Sequence, residues 1–427
     1  MKHLRLNLDR IGWRIAVAAG AVVISAVLLV VIARQFAAGT LSDRRLMVTR
    51  DMILAPSAYL DDSARVNARL AEAELLEPDR DLARAEQSAL RAVELSPYDF
   101  RNRIIYASVK EAQGDRESAE QSLDEARRLA PNNRNVEWRL ANVLLRDRRL
   151  SESLPHFREA LAGNTSFLPG GLDMVWRASG GEASSVLAIT GDEPSAKLTL
   201  ARFLVNQSRY VEAASVLKGI DRNAKLSAVE TPGVINALVA ARQYSTAREL
   251  WLSVTSGEQN NKVIWNGGFE YDIRRNFAQF DWSLSRSDYA RASIDASSAH
   301  GGSRSIKIEL AGRDTTVLDN EVRQLILVHP GARYRVEYWV RVKALVSSEA
   351  PRIVVSDAGT GSWLGASDPF PSGDSDWSRM RFEFEAPPET GGPGVAVYIS
   401  VKRKPRFSYD DPTTGTIWLD DFSITRD

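Results

Sequence analysis

Cysteine is absent from all 427 residues, which excludes disulfides, cysteine-based zinc sites, thiolate catalysis and iron–sulfur clusters together. Histidine is nearly absent: His3, His156, His300 and His329 are scattered along the chain. Net charge is missing as well, since 55 Lys and Arg balance 55 Asp and Glu. No global positive field is therefore available to grip nucleic acid. The sequence contains no G-x-S-x-G, H-E-x-x-H, Walker A or G-x-G-x-x-G pattern. Gly359-Thr360-Gly361 has no following helix to cradle a phosphate. Ser215-Val216-Leu217-Lys218 matches S-x-x-K, but on a repeat helix without the rest of that active site. A glycosidase needs two facing carboxylates, and no pair among the many acids stands out. The expectation is a protein without catalytic activity.

What is present falls into three textures. Ile15 to Ala33 is a run of 19 residues without a charge. At about 1.5 Å per residue its helix matches the roughly 30 Å hydrocarbon thickness of a bilayer. Lys2, Arg5, Arg10 and Arg14 precede it, and Arg34, Arg44 and Arg45 follow, a bias that favours a cytoplasmic N-terminus. A cleaved signal peptide is the alternative, although the run exceeds the usual apolar core and Ala33-Arg34-Gln35-Phe36 is a poor cleavage site. The reading is residues 1–40 as tail and membrane anchor, in contact with lipid, and 41–62 as a linker.

From Ser63 to Val254 apolar residues recur at helical spacing. Shifted by 34 residues the segment overlays itself: Pro97 falls on Pro131, Ala92 on Ala126 and Ala160, Ala85 on Ala119 and Ser153, Ala89 on Leu123 and Phe157, Ala73 on Ala107 and Ala141. Small residues let paired helices approach, and proline ends the second helix. Looser units follow at Pro194–Ile220 and Ser227–Val254, after an irregular insertion over 164–193 expected to hold a short helix at Asp173–Ser179. With "AQGDRESAEQSLDEARRLAP" as its clearest unit, this region, 63–261, resembles the tetratricopeptide repeat. The resemblance implies a concave groove for a protein partner, with Asn67, Glu74, Arg101, Ser108, Trp138 and Asn142 facing it. Leu70, Ile104 and Trp138 occupy a position where a carboxylate-clamping set would stand, so that set is absent. Trp138 is either a hot spot for the partner or packed between helices.

Residues 262–427 turn to period-two alternation in Ser305–Leu310, Tyr334–Lys343, Arg379–Glu385 and Val395–Lys402, which predicts an antiparallel sandwich or jelly roll of about nine strands. The fold class is thus multidomain: an apolar helix, an all-α solenoid and a β-sandwich. The series "NGGFEYDI" from Asn266, Trp282, "SSAHGGSRSIKIEL", "LVHPGARYRVEYWVRV", Trp377 and "GTIWLDDFSITRD" resembles carbohydrate-binding modules with the galactose-binding-like jelly roll. That resemblance implies a structural Ca²⁺ held by Glu270, by Asp420 or Asp421, and by the loop at His300–Gly302. The alternative is that these acids bond backbone amides at the rim.

Alternation places Glu337, Trp339 and Arg341 on the outward side of their strand. Tyr398 stands opposite the Val/Ile face of its own, and Trp363 lies in a Gly-rich loop. These five residues form the candidate glycan surface, where a flat ring stacks on a pyranose. Packing of Trp339 against the solenoid is the competing use. The basic run Lys402-Arg403-Lys404-Pro405-Arg406 is expected to be a solvated loop, with local attraction for an acidic polysaccharide. The whole resembles bacterial envelope proteins that join anchor, repeats and carbohydrate-binding-like module. It implies a single-pass inner-membrane protein, bulk of the chain periplasmic, acting as a scaffold in assembly, export or retention of a surface polysaccharide. A pure protein-interaction scaffold, with the jelly roll as cap, is the alternative.

Overall fold

The computed structural model describes residues 11–41, 60, 62–163, 166–255, 263–388 and 395–427. The expected linker over 41–62 lies almost entirely outside them. The described residues divide into two compact units, Met1–Ile189 and Thr190–Asp427.

The first unit opens with helix α1 (Ile11–Leu41). Its stretch Arg14–Leu41 is long and apolar enough to cross a membrane, and a signal sequence near an N-terminus has the same character. The helix outlasts the charge-free run. Ala37, Ala38 and Leu41 pack against Leu60, Val66, Leu70 and Ala73, and Arg34 meets Asp62 at 2.6 Å. The repeats follow as α2 (Ala64–Leu76), α3 (Leu82–Leu95), α4 (Phe100–Gln113), α5 (Arg116–Leu129), α6 (Arg134–Arg146) and α7 (Leu150–Leu161). Capping groups share the 34-residue spacing. Asp81 and Asp115 each accept an amide three residues on, from Arg84 and Ser118, while Asp99 and Asn133 accept from Arg101 and Asn135. Each such cap is worth about 1 kcal/mol. Gly114, at φ +85°, takes the left-handed turn between α4 and α5 that a side chain would resist.

The overlaid small residues are the packing seam. Ala85, Ala119 and Ser153 are fully buried, as are Ala89 and Phe157, with Leu123 at 1% exposure. The insertion is more helical than expected: α8 (Leu168–Ala178) and α9 (Ala183–Ile189) occupy it. Pro169 starts α8 in its first turn, where no amide partner is lost, and Gly180-Gly181 at positive φ ends it.

The second unit holds α10 (Pro194–Asn206), α11 (Tyr210–Lys218), α12 (Arg222–Ser227), α13 (Thr231–Ala240) and α14 (Tyr244–Val254), then the sandwich. The change of texture near residue 262 is thus a change of secondary structure, while the change of packing partner comes earlier. Trp251 of α14 explains why: its ring meets Trp265 edge-on at 4.9 Å and its Nε1 donates to the Phe277 carbonyl at 2.6 Å.

Two antiparallel five-stranded sheets form the sandwich. One has the order β1 (Ser283–Leu284), β4 (Val322–Val328), β9 (Val395–Lys402), β6 (Arg352–Asp357), β7 (Trp363–Ala366). The other runs β2 (Ala290–Asp295), β3 (Ser305–Ala311), β10 (Thr414–Arg426), β5 (Arg333–Val346), β8 (Gly373–Glu385). In β5, Tyr334, Val336, Tyr338, Val340 and Val342 are buried between the sheets, so the intervening residues face outward.

The opening and closing motifs clasp one another. The Phe422 amide donates to the Gly267 carbonyl at 2.9 Å, and a Cβ at Gly267 would collide with the Phe422 carbonyl. Phe269, fully buried, packs on Trp282 and Phe422, and Trp282 Nε1 donates to the Asn266 carbonyl at 3.1 Å. These motif residues build the core.

Candidate functional site

Three places collect the side chains singled out in the sequence. The first is the concave side of the repeats. A cavity of about 450 Å³ is lined by α2, α4 and α6, with Arg69, Phe100, Arg101, Ile104, Ser108 and Arg139 prominent. Arg139 donates to Ser108 Oγ at 2.6 Å, and Arg69 reaches Glu72 at 3.5 Å. Arg101 and Ser108 therefore lie where the repeat register put them. Asn67 and Glu74 do not: both are buried, Asn67 bonded to the Ser63 carbonyl and Glu74 to the Asp81 amide and Arg84. Seven residues apart, they share the stripe of Leu70 and Ala71. The groove stripe of α2 is instead Arg65, Arg69, Glu72 and Leu76. That i, i+4, i+7 spacing was visible in the sequence. Trp138 sets its ring edge-on to Phe157 at 5.4 Å, the packing alternative, and Asn142 bonds the Trp138 carbonyl at 2.7 Å.

The second place is the outward face of the β5 sheet. Trp339 lies there half-buried, with the His300 ring stacked on it at 3.8 Å and 15°. Trp377 meets His300 edge-on at 5.8 Å. Glu337 pairs with Arg379 at 2.6 Å. Arg341 bonds Ser298 at 3.1 Å, approaches Asp376 at 3.6 Å, and lies 5.8 Å over Trp418. Polar groups here are matched among themselves, and an imidazole already occupies a face of Trp339. The ring that covers Trp339 belongs to the sandwich itself.

His300 is held by the acids for which calcium was considered. Asp420 Oδ2 accepts the His300 amide at 2.8 Å and that of Gly301 at 3.2 Å, while its Oδ1 accepts the Asp421 amide at 2.7 Å. Burial, the leading cause, raises the Asp420 carboxyl to about 6, against those amide bonds and aided by the Asp421 charge. Asp421 Oδ2 contacts His300 Nδ1 at 2.6 Å. Glu270 Oε1 accepts the Ser303 and Arg304 amides at 2.7 and 2.9 Å, and Oε2 the Ser303 hydroxyl at 2.7 Å. Loop amides thus bond Glu270 and Asp420 at the rim of the sandwich, with the Ser303 hydroxyl on Glu270 Oε2. Among the described residues no three His, Cys, Asp or Glu side chains gather to hold a metal.

The third place is the outward face of the β9 sheet, which carries Tyr398 and Trp363. The five glycan candidates are therefore split between opposite sheets. Tyr398 lines a cavity of about 350 Å³ with Asn236 and Val239 of α13, Gln279, Asp281 and Arg323. The Arg323 guanidinium lies 5.1 Å from the Tyr398 ring centre, and Gln279 donates to Asn236 at 3.0 Å. Burial lifts the Asp281 carboxyl to about 7, opposed by the Trp282 amide, Asn266 and Arg248. Burial likewise lowers the Arg248 guanidinium to about 10. Trp363, on edge strand β7, is 48% exposed, with Lys404 Nζ 5.7 Å from its ring centre.

The basic run after β9 is not uniformly solvated. Arg403 is fully buried and pairs with Asp411, itself 1% exposed, at 2.6 Å. Its other hydrogens go to the carbonyls of Thr316, Glu349 and Asp411 and to the Ser348 hydroxyl. Nothing in a single charge run marks which member turns inward. The partner acid eight residues later was the available signal.

Comparison with known proteins matches residues 261–411 to the carbohydrate binding domain family model. No curated protein matches the chain. Among solved structures, a CBM4 module is 19% identical, covering 38% of this chain and 99% of its own, at a TM-score of 0.29. TmCBM61 in complex with β-1,4-galactotriose is 18% identical, covering 39% and 99%, at 0.26. The tetratricopeptide-repeat protein YrrB, with an unusual peptide-binding site, is 15% identical, covering 48% and 92%, at 0.26. The C-terminal sandwich of this chain is, by family, a carbohydrate-binding domain, and in the sequence it follows tetratricopeptide-like helical repeats and an apolar N-terminal helix.

Proposed function

We propose that this is a non-enzymatic, membrane-anchored scaffold of a bacterial cell envelope, whose repeats hold a protein partner while the sandwich contacts a surface polysaccharide. In this reading α1 spans the inner membrane with a cytoplasmic N-terminus, and the remainder is periplasmic. The observation that carries the glycan part is the cavity at Tyr398. An aromatic ring, an amide pair, a guanidinium and a carboxyl converge there on one recess, the donor and acceptor mixture that hydroxyls demand. The arginine-lined groove supports the partner half. Each sugar contact is weak, and a polymer gains by multivalency.

The test is affinity electrophoresis of the full chain in non-ionic detergent, through gels containing xylan, galactan or polygalacturonate. Tyr398→Ala is expected to weaken retention by at least about tenfold, the loss of one stacking anchor. Tyr398→Phe, which keeps the ring, retains most of it. Equal retention of all three proteins would remove Tyr398 from the site.

One observation favours a second reading, the sandwich as a structural cap. Arg242 reaches the Gly359 carbonyl at 3.4 Å and Gln279 meets Asn236, so helices of the second unit rest on the Tyr398 side. Failure of every polymer to retard the chain would select this reading.

The loop holding His300 is proposed to be metal-independent. A chelator is expected to leave the thermal midpoint unchanged, because amides already satisfy Asp420 and Glu270. A fall of several degrees on chelation, reversed by Ca²⁺, would restore the metal.

A further inference from the structure

The loop between β9 and β10 presents aromatic and cationic side chains on a built support. Its base is the buried Arg403–Asp411 pair. Asp411 also accepts the amides of Arg406 and Phe407, and its own amide donates to Asp314 at 2.8 Å. The segment between the two is thereby clamped at both ends and arrives ordered at any ligand, which lowers the entropic cost of binding. At its surface Phe407 is 46% and Tyr409 73% exposed, with ring centres 6.2 Å apart. Lys404 extends to the half-exposed Trp363 of β7, so the loop and the sheet edge form one patch.

The charges in this patch are the telling feature. Arg304, Lys307, Arg335, Arg379 and Lys402 of the same sandwich each reach a carboxylate. Lys404 and Arg406 are exposed and reach none among the described residues; the one exposed acid of the loop is Asp410. Each instead lies near an aromatic ring, Lys404 by Trp363 and Arg406 at 5.6 Å from Phe407. A ring suits the apolar face of a sugar, and an adjacent unpaired cation suits a carboxylate or sulfate on it.

We infer that the surface formed by Trp363, Lys404, Arg406, Phe407 and Tyr409 binds an anionic polysaccharide, one bearing uronate-type carboxylates or sulfates. This rests on the reading that the sandwich contacts glycan, and specifies the chemical class of that glycan through a surface separate from the Tyr398 cavity.

The probe pair is polygalacturonate, which is anionic, against neutral galactan, each in affinity electrophoresis with the full chain in non-ionic detergent. The expected result is binding to polygalacturonate about tenfold tighter than to galactan, the effect of two solvent-exposed ion pairs per repeat of the polymer. The Lys404→Gln, Arg406→Gln double substitution removes that preference without changing the thermal midpoint, and the Lys404→Arg, Arg406→Lys exchange preserves it. Trp363→Ala weakens binding to the anionic polymer. Equal retention by both polymers, unaffected by the double substitution, would overturn the inference and leave the proposed glycan function standing. Absence of retention by either polymer, with neutral xylan also inert, would instead overturn that function.

Discussion

Arg403→Leu is expected to destabilise the sandwich by about 3–5 kcal/mol, the cost of leaving a buried charge without its partner. For a domain of this size that is a fall of roughly 10 °C or more in the thermal midpoint. Asp411 is the group left behind. Burial alone would raise its carboxyl, but hydrogen bonds from Ser348, the Phe407 amide, Arg403 and the Arg406 amide draw it down to about 2. A carboxyl held below its unfolded value stabilises the fold above about pH 4, and the contribution is lost as pH falls through about 2. Removing Arg403 raises the folded-state value, so acid unfolding of the variant should begin at higher pH than in the parent. Calorimetry across pH 2 to 7 reads both effects. A variant within about 1 kcal/mol of the parent at pH 7 would show that Ser348 and the Arg406 and Phe407 amides satisfy Asp411 without Arg403.

The second large effect is expected at Trp251→Ala, about 3–5 kcal/mol for deleting a buried aromatic. Trp251 is 1% exposed and is shared between the last helix and the start of the sandwich. It packs on Trp265 and Phe280, carries the Arg248 guanidinium 5.0 Å from its ring centre, and donates to the Phe277 carbonyl. The variant should therefore lower the thermal midpoint and split the melting of the second unit into two transitions. Retention of a single transition with an unchanged midpoint would place the coupling elsewhere. Trp251→Phe, which keeps the ring packing but not the Nε1 bond, is expected to fall between the two.

The repeats were legible because their constraint is local and periodic. Ala85, Ala119 and Ser153 must be small where helices cross, and capping acids must precede each helix, so both signals recur at one spacing. The groove was less legible. Asn67 and Glu74, which the register of the repeat resemblance places in the groove, are polar residues in a seam, satisfied by Ser63, Asp81 and Arg84. In the sandwich, alternation placed Trp339 outward correctly relative to Tyr338 and Val340. It carried no information on His300, 39 residues earlier in the chain, which covers the ring.

By itself the sequence determined the apolar helix, the two-helix repeat and the alternating strands, because helix period, strand period and turn chemistry are written in neighbouring residues. Only the tertiary structure decided that Trp339 and Tyr398 face away on opposite sheets, that loop amides satisfy Glu270 and Asp420, and that Arg403 turns inward to Asp411 while Lys404 and Arg406 stay outside. Those outcomes depend on which distant segments meet. Strand order across a sheet is set by the packing of the whole core, and no window of neighbouring residues contains it.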